Sequence, residues 1–388
     1  MTDPLRFASE ELRRLEEASL LRTVHALDSA QEPEVTLDGR RVLLLASNNY
    51  LGLAADPRVV DAAAEAARRW GAGAGSARLI SGGVRLHDEI ESRLATFKGT
   101  ESALLFSSGY LANLGTISAL LGRGDAIFSD ALNHASIIDG ARLSGASISV
   151  YPHRDVAALA AMLRASGADR RLVVSDAVFS MDGDLAPLAE LVAVCEEHGA
   201  ILMVDEAHAT GVVGPGGRGA IAAAGLTGRV PVVMGTLSKA LGAAGGFIAG
   251  SSDLIALLRN RARSFIFDTA PPAPVTAAAL AALDVIEREP WRGERARSLA
   301  SRLASGLRDA GFPTPEPVAA IVPVHAGEPD AALAMSRALL DQDVLVPAIR
   351  PPSVAPRTSR LRATVMATHT EEQVDRAVRA FAVSCVAV

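Results

Sequence analysis

Short apolar runs, each closed by a polar or glycine-rich stretch, recur between residues 100 and 250: Ala103–Phe106, Ala126–Ser129, Ser147–Tyr151, Leu172–Ser175, Ile201–Val204, Val230–Met234 and Gly246–Ala249. Most are apolar on both faces instead of alternating, the pattern of strands covered on both sides. Longer segments with helical spacing separate them, such as Leu111, Leu114 and Ile117. Strand alternating with helix predicts an α/β fold with a mostly parallel, seven-stranded central sheet, and ligands gather at the carboxyl ends of such strands. Before the sheet, residues 8–28 read as an amphipathic helix charged at Glu10, Glu11, Arg13, Arg14, Glu16 and Glu17, leading into a short segment through Gly39. After it, an apolar helix beginning near Pro274 runs to Glu289-Pro290. The runs Ile321–Val324, Val344–Val346 and Leu361–Val365 then predict a smaller C-terminal α+β layer. Thr370 and Gln373 stand in capping-box register for a last helix. The expected division is an N-terminal arm over 1–45, a large domain over 46–285 and a small domain over 286–388. No internal repeat is visible.

Composition narrows the function. The chain has 388 residues, 49% hydrophobic, and a formal net charge of −6 without a basic block, which argues against nucleic acid or an anionic membrane as partner. Cys195 and Cys385 are too few and too far apart for a disulfide framework, and the cytoplasm is the expected compartment. The start Met1-Thr2-Asp3-Pro4 lacks the apolar core of a signal peptide, and no run of about 18 apolar residues suggests a membrane span.

The candidate chemistry begins at Lys239, in Thr236-Leu237-Ser238-Lys239-Ala240-Leu241-Gly242, where small residues surround one long amine. Upstream, the buried run Ile201–Val204 ends in Asp205-Glu206-Ala207-His208. Amine, carboxylate and imidazole together suit pyridoxal 5'-phosphate (PLP): a lysine holds the aldehyde as a Schiff base, an aspartate keeps the pyridine nitrogen protonated, and a histidine orients the ring or its phenolic oxygen. Asp205, Glu206 and His208 could also be half a metal site, but the short-spaced His or Cys partners of zinc are missing, and no metal is expected. Ser107-Ser108-Gly109-Tyr110 follows a strand and opens a helix, whose free amides suit a phosphate. Taken alone, it reads equally as a turn with an N-cap serine. Tyr110 or His134, the latter in Asn133-His134-Ala135-Ser136, could stack on a pyridine ring. The glycine-rich Gly71–Ser76 follows a helical segment and lacks GxGxxG spacing, which excludes a dinucleotide loop and leaves a flexible segment near substrate or a subunit interface.

Over nearly the whole chain these motifs resemble the α-oxoamine synthases, fold-type I PLP-dependent transferases. The matching strings are Ser47–Leu53, Phe106–Tyr110, Asn133–Ser136, Val178–Asp184, Val204–His208 and Thr236–Lys239. The string from Val178 to Leu188 and the segment Ser264–Thr269 look most like the branch that condenses L-alanine with a pimeloyl thioester for biotin biosynthesis. Asp130–Gly140 also resembles the branch that joins glycine to acetyl-CoA.

The resemblance implies that Lys239 carries the cofactor and, once freed, acts as base, that Asp205 pairs with the pyridinium and that His134 stacks on the ring. It places His208 and Ser180 near the phenolic oxygen, and Ser108, Gly109, Tyr110 and Thr236 around the phosphate. Asn48 and Arg350 match positions that hold the substrate carboxylate, Arg22 matches one near the acyl substrate, and Ser353 follows Arg350 in the same substrate-binding segment. Two positions depart from the pattern: Tyr110 stands where phenylalanine is frequent, and Asp176 where glutamate is. The implied partners are L-alanine, an acyl thioester on CoA or a carrier protein, and a second copy of the chain. A PLP-binding regulator without turnover would be the non-enzyme alternative, but no DNA-binding appendage accompanies the site.

Overall fold

The computed structural model of the protein describes residues 4–385; Met1, Thr2 and Asp3 lie outside the described residues. In chain order the strands are β1 (Glu34–Leu37) and β2 (Arg40–Leu44). Then come β3 (Ser102–Phe106), β4 (Ala126–Asp130), β5 (Ser147–Tyr151), β6 (Arg171–Asp176), β7 (Ile201–Asp205), β8 (Val232–Thr236) and β9 (Gly246–Gly250). The last four are β10 (Ile321–Gly327), β11 (Val344–Leu345), β12 (Ala348–Ile349) and β13 (Ser359–Thr364). The chain separates into two units. One gathers the residues up to Ser47, Met181–Gly183 and Ala296 onward; the other takes Asn48–Ser180 and Asp184–Arg295.

The larger unit is built on a seven-stranded sheet in the order β3-β9-β8-β7-β6-β4-β5. All pairings are parallel except those of β9, which runs antiparallel to both β3 and β8. Strands β4, β7, β8 and β9 are buried at nearly every position, as expected where helices cover both faces. β5 closes one edge and leaves Ile148 and Val150 exposed. Parallel pairing brings the carboxyl ends of β4, β6, β7 and β8 to one rim, so Asp130, Asp176, Asp205 and Thr236 lie along it. The helix Gly109–Leu120 starts at the same rim after β3 and is capped by Ser108, whose Oγ accepts the Leu111 amide at 3.1 Å. Its start presses directly on β9: a Cβ on Gly246 would fall 2.5 Å from Gly109 Cα, so only glycine fits there.

In the smaller unit, β1 and β2 form a hairpin turning at Asp38-Gly39, both with positive φ, the geometry favoured by a two-residue hairpin. β2 then pairs in parallel with β11, which builds the N-terminal segment into a sheet with a C-terminal strand. β10, β13 and β12 form a second, antiparallel sheet. The expected final capping box is present: the Thr370 amide donates to Gln373 Oε1 at 2.9 Å and the Gln373 amide to Thr370 Oγ1 at 3.2 Å.

The expected helix over 8–28 is instead Arg6–Glu17. It stops because Ser19 enters the left-handed region (φ 57), while Ser19 N and Leu20 N return to the carbonyls of Glu16 and Leu15. That stop is usually signalled by glycine, and no glycine stands there. No described helix is long and apolar enough to cross a membrane.

Candidate active site

The sheet rim of the larger unit opens into a cavity of about 240 Å³. Of the expected residues, Ser108, Gly109, Tyr110, His134, Asp205, His208, Thr236 and Lys239 line it together; Asn113, Ser136, Asp176, Met234 and Ser238 line it as well. Lys239 sits in the turn after β8, which is folded back by Leu237 N to Gly245 O at 2.9 Å and Gly242 N to Lys239 O at 2.9 Å. Gly242 has φ +64, and a Cβ there would meet Ala54 N at 2.3 Å, so the small residues around the lysine answer a packing demand.

Asp205 is buried at the end of β7, with Oδ2 accepting from Asn113 Nδ2 at 2.8 Å and Oδ1 from the Ala207 amide at 2.8 Å. Asn113 also donates to Ser136 Oγ at 2.8 Å, and Ser136 Oγ contacts His134 Nδ1 at 2.8 Å. One polar chain thus links the carboxylate to the imidazole. Desolvation lowers the His134 pKa; Asp205 opposes this and the Lys239 charge adds to it. The ring is therefore neutral near pH 7, which suits stacking on an aromatic cation. His208 is held from behind by Tyr50 Oη at 2.7 Å from its Nδ1, and the same hydroxyl reaches Asn48 Oδ1 at 3.1 Å. Asn48 therefore joins the His208 side of the site.

At the helix start, the Gly109 and Tyr110 amides have no acceptor within their own helix. Thr236 Oγ1 and Ser238 Oγ lie 2.8 Å apart on the same cavity wall. Tyr110 Oη donates to Asp139, and its ring meets His134 edge-on at 6.5 Å. Helix amides, two hydroxyls, an amine and a buried carboxylate form a donor set with a phosphate end and a pyridinium end, so these residues fit PLP.

Ser180 is buried in the turn after β6, which is closed by Phe179 N donating to Asp184 O at 3.0 Å. The remaining expected residues belong to the smaller unit. There Arg350 donates to the carbonyls of Ser19 and Leu21, and Arg22 Nη2 donates to Pro351 O at 3.1 Å. Burial and the charges of Arg22 and Arg337 pull the Arg350 pKa down, the mark of a cationic cluster. Ser353 follows, its amide donating to Arg350 O at 3.1 Å.

Sequence reasoning missed Asn113, Ser136 and Tyr50. Asn113 had a visible signal, an amide beside the apolar positions Leu111, Leu114 and Ile117 of its helix. Ser136 and Tyr50 stood inside quoted strings without a role.

Residues 40–381 match the aminotransferase class I and II family, and the chain belongs to it. It is 51% identical to the 8-amino-7-oxononanoate synthase of Geotalea daltonii, with 96% of each chain covered. It is 52% identical to that of Anaeromyxobacter dehalogenans, over 96% of this chain and 94% of the other. Among solved structures, a high-resolution structure of SPT with a PLP internal aldimine superposes with a TM-score of 0.94 at 36% identity, covering 100% of this chain and 99% of that one. These likenesses bear out the expected α/β fold of the fold-type I PLP transferases.

Proposed function

We propose that this chain is a PLP-dependent acyltransferase that condenses L-alanine with a pimeloyl thioester, releasing carbon dioxide and the free thiol to give 8-amino-7-oxononanoate in biotin biosynthesis. The carrying observation is half-identity over nearly the entire chain to synthases of that name, joined to a cavity where Lys239, Asp205, His134 and Thr236 meet.

PLP, when bound, supplies an aldehyde and an electron-withdrawing ring that lets an α-proton or a carboxyl group depart. The Lys239 amine would hold that aldehyde, and it is the amine that the amino acid substrate would replace there. It then takes the α-proton of alanine as general base and returns a proton at the end. Asp205, fixed by Asn113 and the Ala207 amide, holds a proton on the ring nitrogen. The neutral His134 ring stacks, while His208, oriented by Tyr50, and Ser180 hold the phenolic oxygen. Ser108, Gly109, Tyr110 and Thr236 bind the phosphate. By the family resemblance, Asn48 and Arg350 are assigned to the alanine carboxylate, Arg22 to the acyl substrate and Ser353 to substrate binding. The functional enzyme is a homodimer.

The test is a substrate panel: L-alanine with pimeloyl-CoA or a pimeloyl carrier protein, glycine with acetyl-CoA, and L-serine with palmitoyl-CoA. Alanine with a pimeloyl thioester should give the highest kcat/KM. Preference for either other pair would overturn the substrate assignment while keeping the reaction class.

A further inference from the structure

We propose that His153 is a positioning residue: one imidazole ties the strand end leading to His134 to the turn carrying Ser180. His153 follows β5 and does not line the cavity. Its Nδ1 lies 2.9 Å from Asp130 Oδ1, at the end of β4, and its Nε2 lies 2.9 Å from Asp184 Oδ2, beyond the turn after β6. The ring is seated edge-on against Phe179, with centroids 4.4 Å apart. Arg154 braces the same pair, its amide reaching Asp130 Oδ2 at 2.9 Å and its guanidinium reaching Asp184 Oδ2 at 3.2 Å.

Both anchored segments run straight into the site. From Asp130, Asn133 N returns to Asp130 O at 3.2 Å, Asn133 Nδ2 reaches across to Val174 O at 2.8 Å, and the His134 amide donates to Asp176 Oδ2 at 3.2 Å. On the other side, Asp184 O closes the turn through Phe179 N, the residue before Ser180.

Carboxylates only accept, so an imidazole bonded to one at each nitrogen must carry both protons. The cation is the form the geometry requires. The Asp130 and Asp184 carboxylates outweigh desolvation and push the His153 pKa up to about 9. The folded value lies above the unfolded one, so the clamp's stabilisation is complete below about pH 6.5 and disappears as pH rises through 9. Asp130, Asp184 and Arg154 are the charged groups facing the ring.

The proposal rests on the reading that His134 and Ser180 hold the cofactor, and its test needs no substrate. PLP affinity and the melting temperature of the cofactor-free protein are measured for wild type, His153→Gln and Asp184→Asn at pH 7 and pH 10. His153→Gln should weaken PLP binding roughly tenfold at pH 7, the scale seen when a partner that orients a ligand-binding group is lost. Asp184→Asn, which spares the Asp130 contact, should lose less in the same direction. Wild type's advantage in both readouts should shrink at pH 10, where its own clamp is neutral. Unchanged PLP affinity in both variants at pH 7 overturns the proposal, and so does an advantage equal at the two pH values. If wild type binds PLP with this pH signature yet fails to turn over alanine, the substrate reading fails and the clamp stands.

Discussion

Asp176 and Asp205 end neighbouring parallel strands in register, two buried carboxylates side by side at the floor of the cavity. They are not equivalent. Asp205 is fixed by two donors from its side of the sheet, whereas the donor to Asp176 is the His134 amide. Burial, reinforced by the Asp205 charge, raises the Asp176 pKa well above the ordinary carboxylate value. Of the pair, Asp176 is the one whose proton is held in the folded protein.

That proton sets a pH dependence. Asp176 binds its proton more tightly folded than unfolded, so it costs stability as pH rises above about 4, its unfolded value. Asp176→Asn keeps the neutral shape and removes the titration. Its melting temperature should fall less than that of wild type between pH 5 and pH 8. Parallel pH curves for the two proteins would show that Asp176 is ionised in the folded state.

Lys239 has one rival amine, Lys98, and the structure separates them. Lys98 Nζ is buried in contact with Glu206 Oε2 at 2.7 Å, Thr210 Oγ1 at 2.8 Å and Arg218 O at 3.0 Å, away from the cavity that Lys239 lines. Borohydride reduction of the PLP-loaded protein should therefore fix the cofactor on Lys239 alone. Lys239→Ala should bind PLP without a reducible bond and lose turnover. Peptide mapping that finds the adduct on Lys98 would overturn the assignment.

The seven central strands were legible because burial on both faces writes continuous apolar runs, but several of their ends lie elsewhere than those runs suggest. Asp130, Asp176, Asp205 and Thr236 still pair in the ladder while turning polar side chains toward the rim, so β4, β6, β7 and β8 extend past their apolar runs. β8 begins at Val232 instead of Val230, since Pro231 has no amide to contribute. The β1–β2 hairpin lies where only a short segment through Gly39 is expected, although Asp38-Gly39 is a hairpin signal between short alternating runs. Lys239, Asp205 and His208 announced themselves through chemistry placed at strand ends. His153 could not, because its carboxylate partners stand 23 and 31 residues away and only the fold brings them to it.

The proposed homodimer has a surface to test. Ala77 bridges Thr269, joining the segment after Gly71–Gly75 to the one after Phe265, and on these two segments Leu79, Ile80 and Phe267 are 50%, 80% and 69% exposed. Large apolar side chains so displayed together mark an association surface. Ile80→Glu combined with Phe267→Glu should shift the protein toward monomer in light scattering and reduce activity. An unchanged dimer mass would move the interface elsewhere.

Arg350 is held within its own unit by contacts that also expose its charge to a test. Its guanidinium bonds the Ser19 and Leu21 carbonyls, and Arg22 reaches back to Pro351 O, so each arginine holds the other's segment. Desolvation and the neighbouring Arg22 and Arg337 charges destabilise its cation, and an incoming carboxylate would relieve that penalty. A lost charge-assisted hydrogen bond costs about 1.5–3 kcal/mol, so Arg350→Ala should weaken L-alanine binding roughly ten- to hundredfold while leaving the visible absorbance of bound PLP intact. Arg350→Lys should recover only part of this, because an ammonium lacks the planar fork. Titration with L-alanine measures the dissociation constant directly, and an unchanged value in Arg350→Ala would mean that the carboxylate is held by other residues.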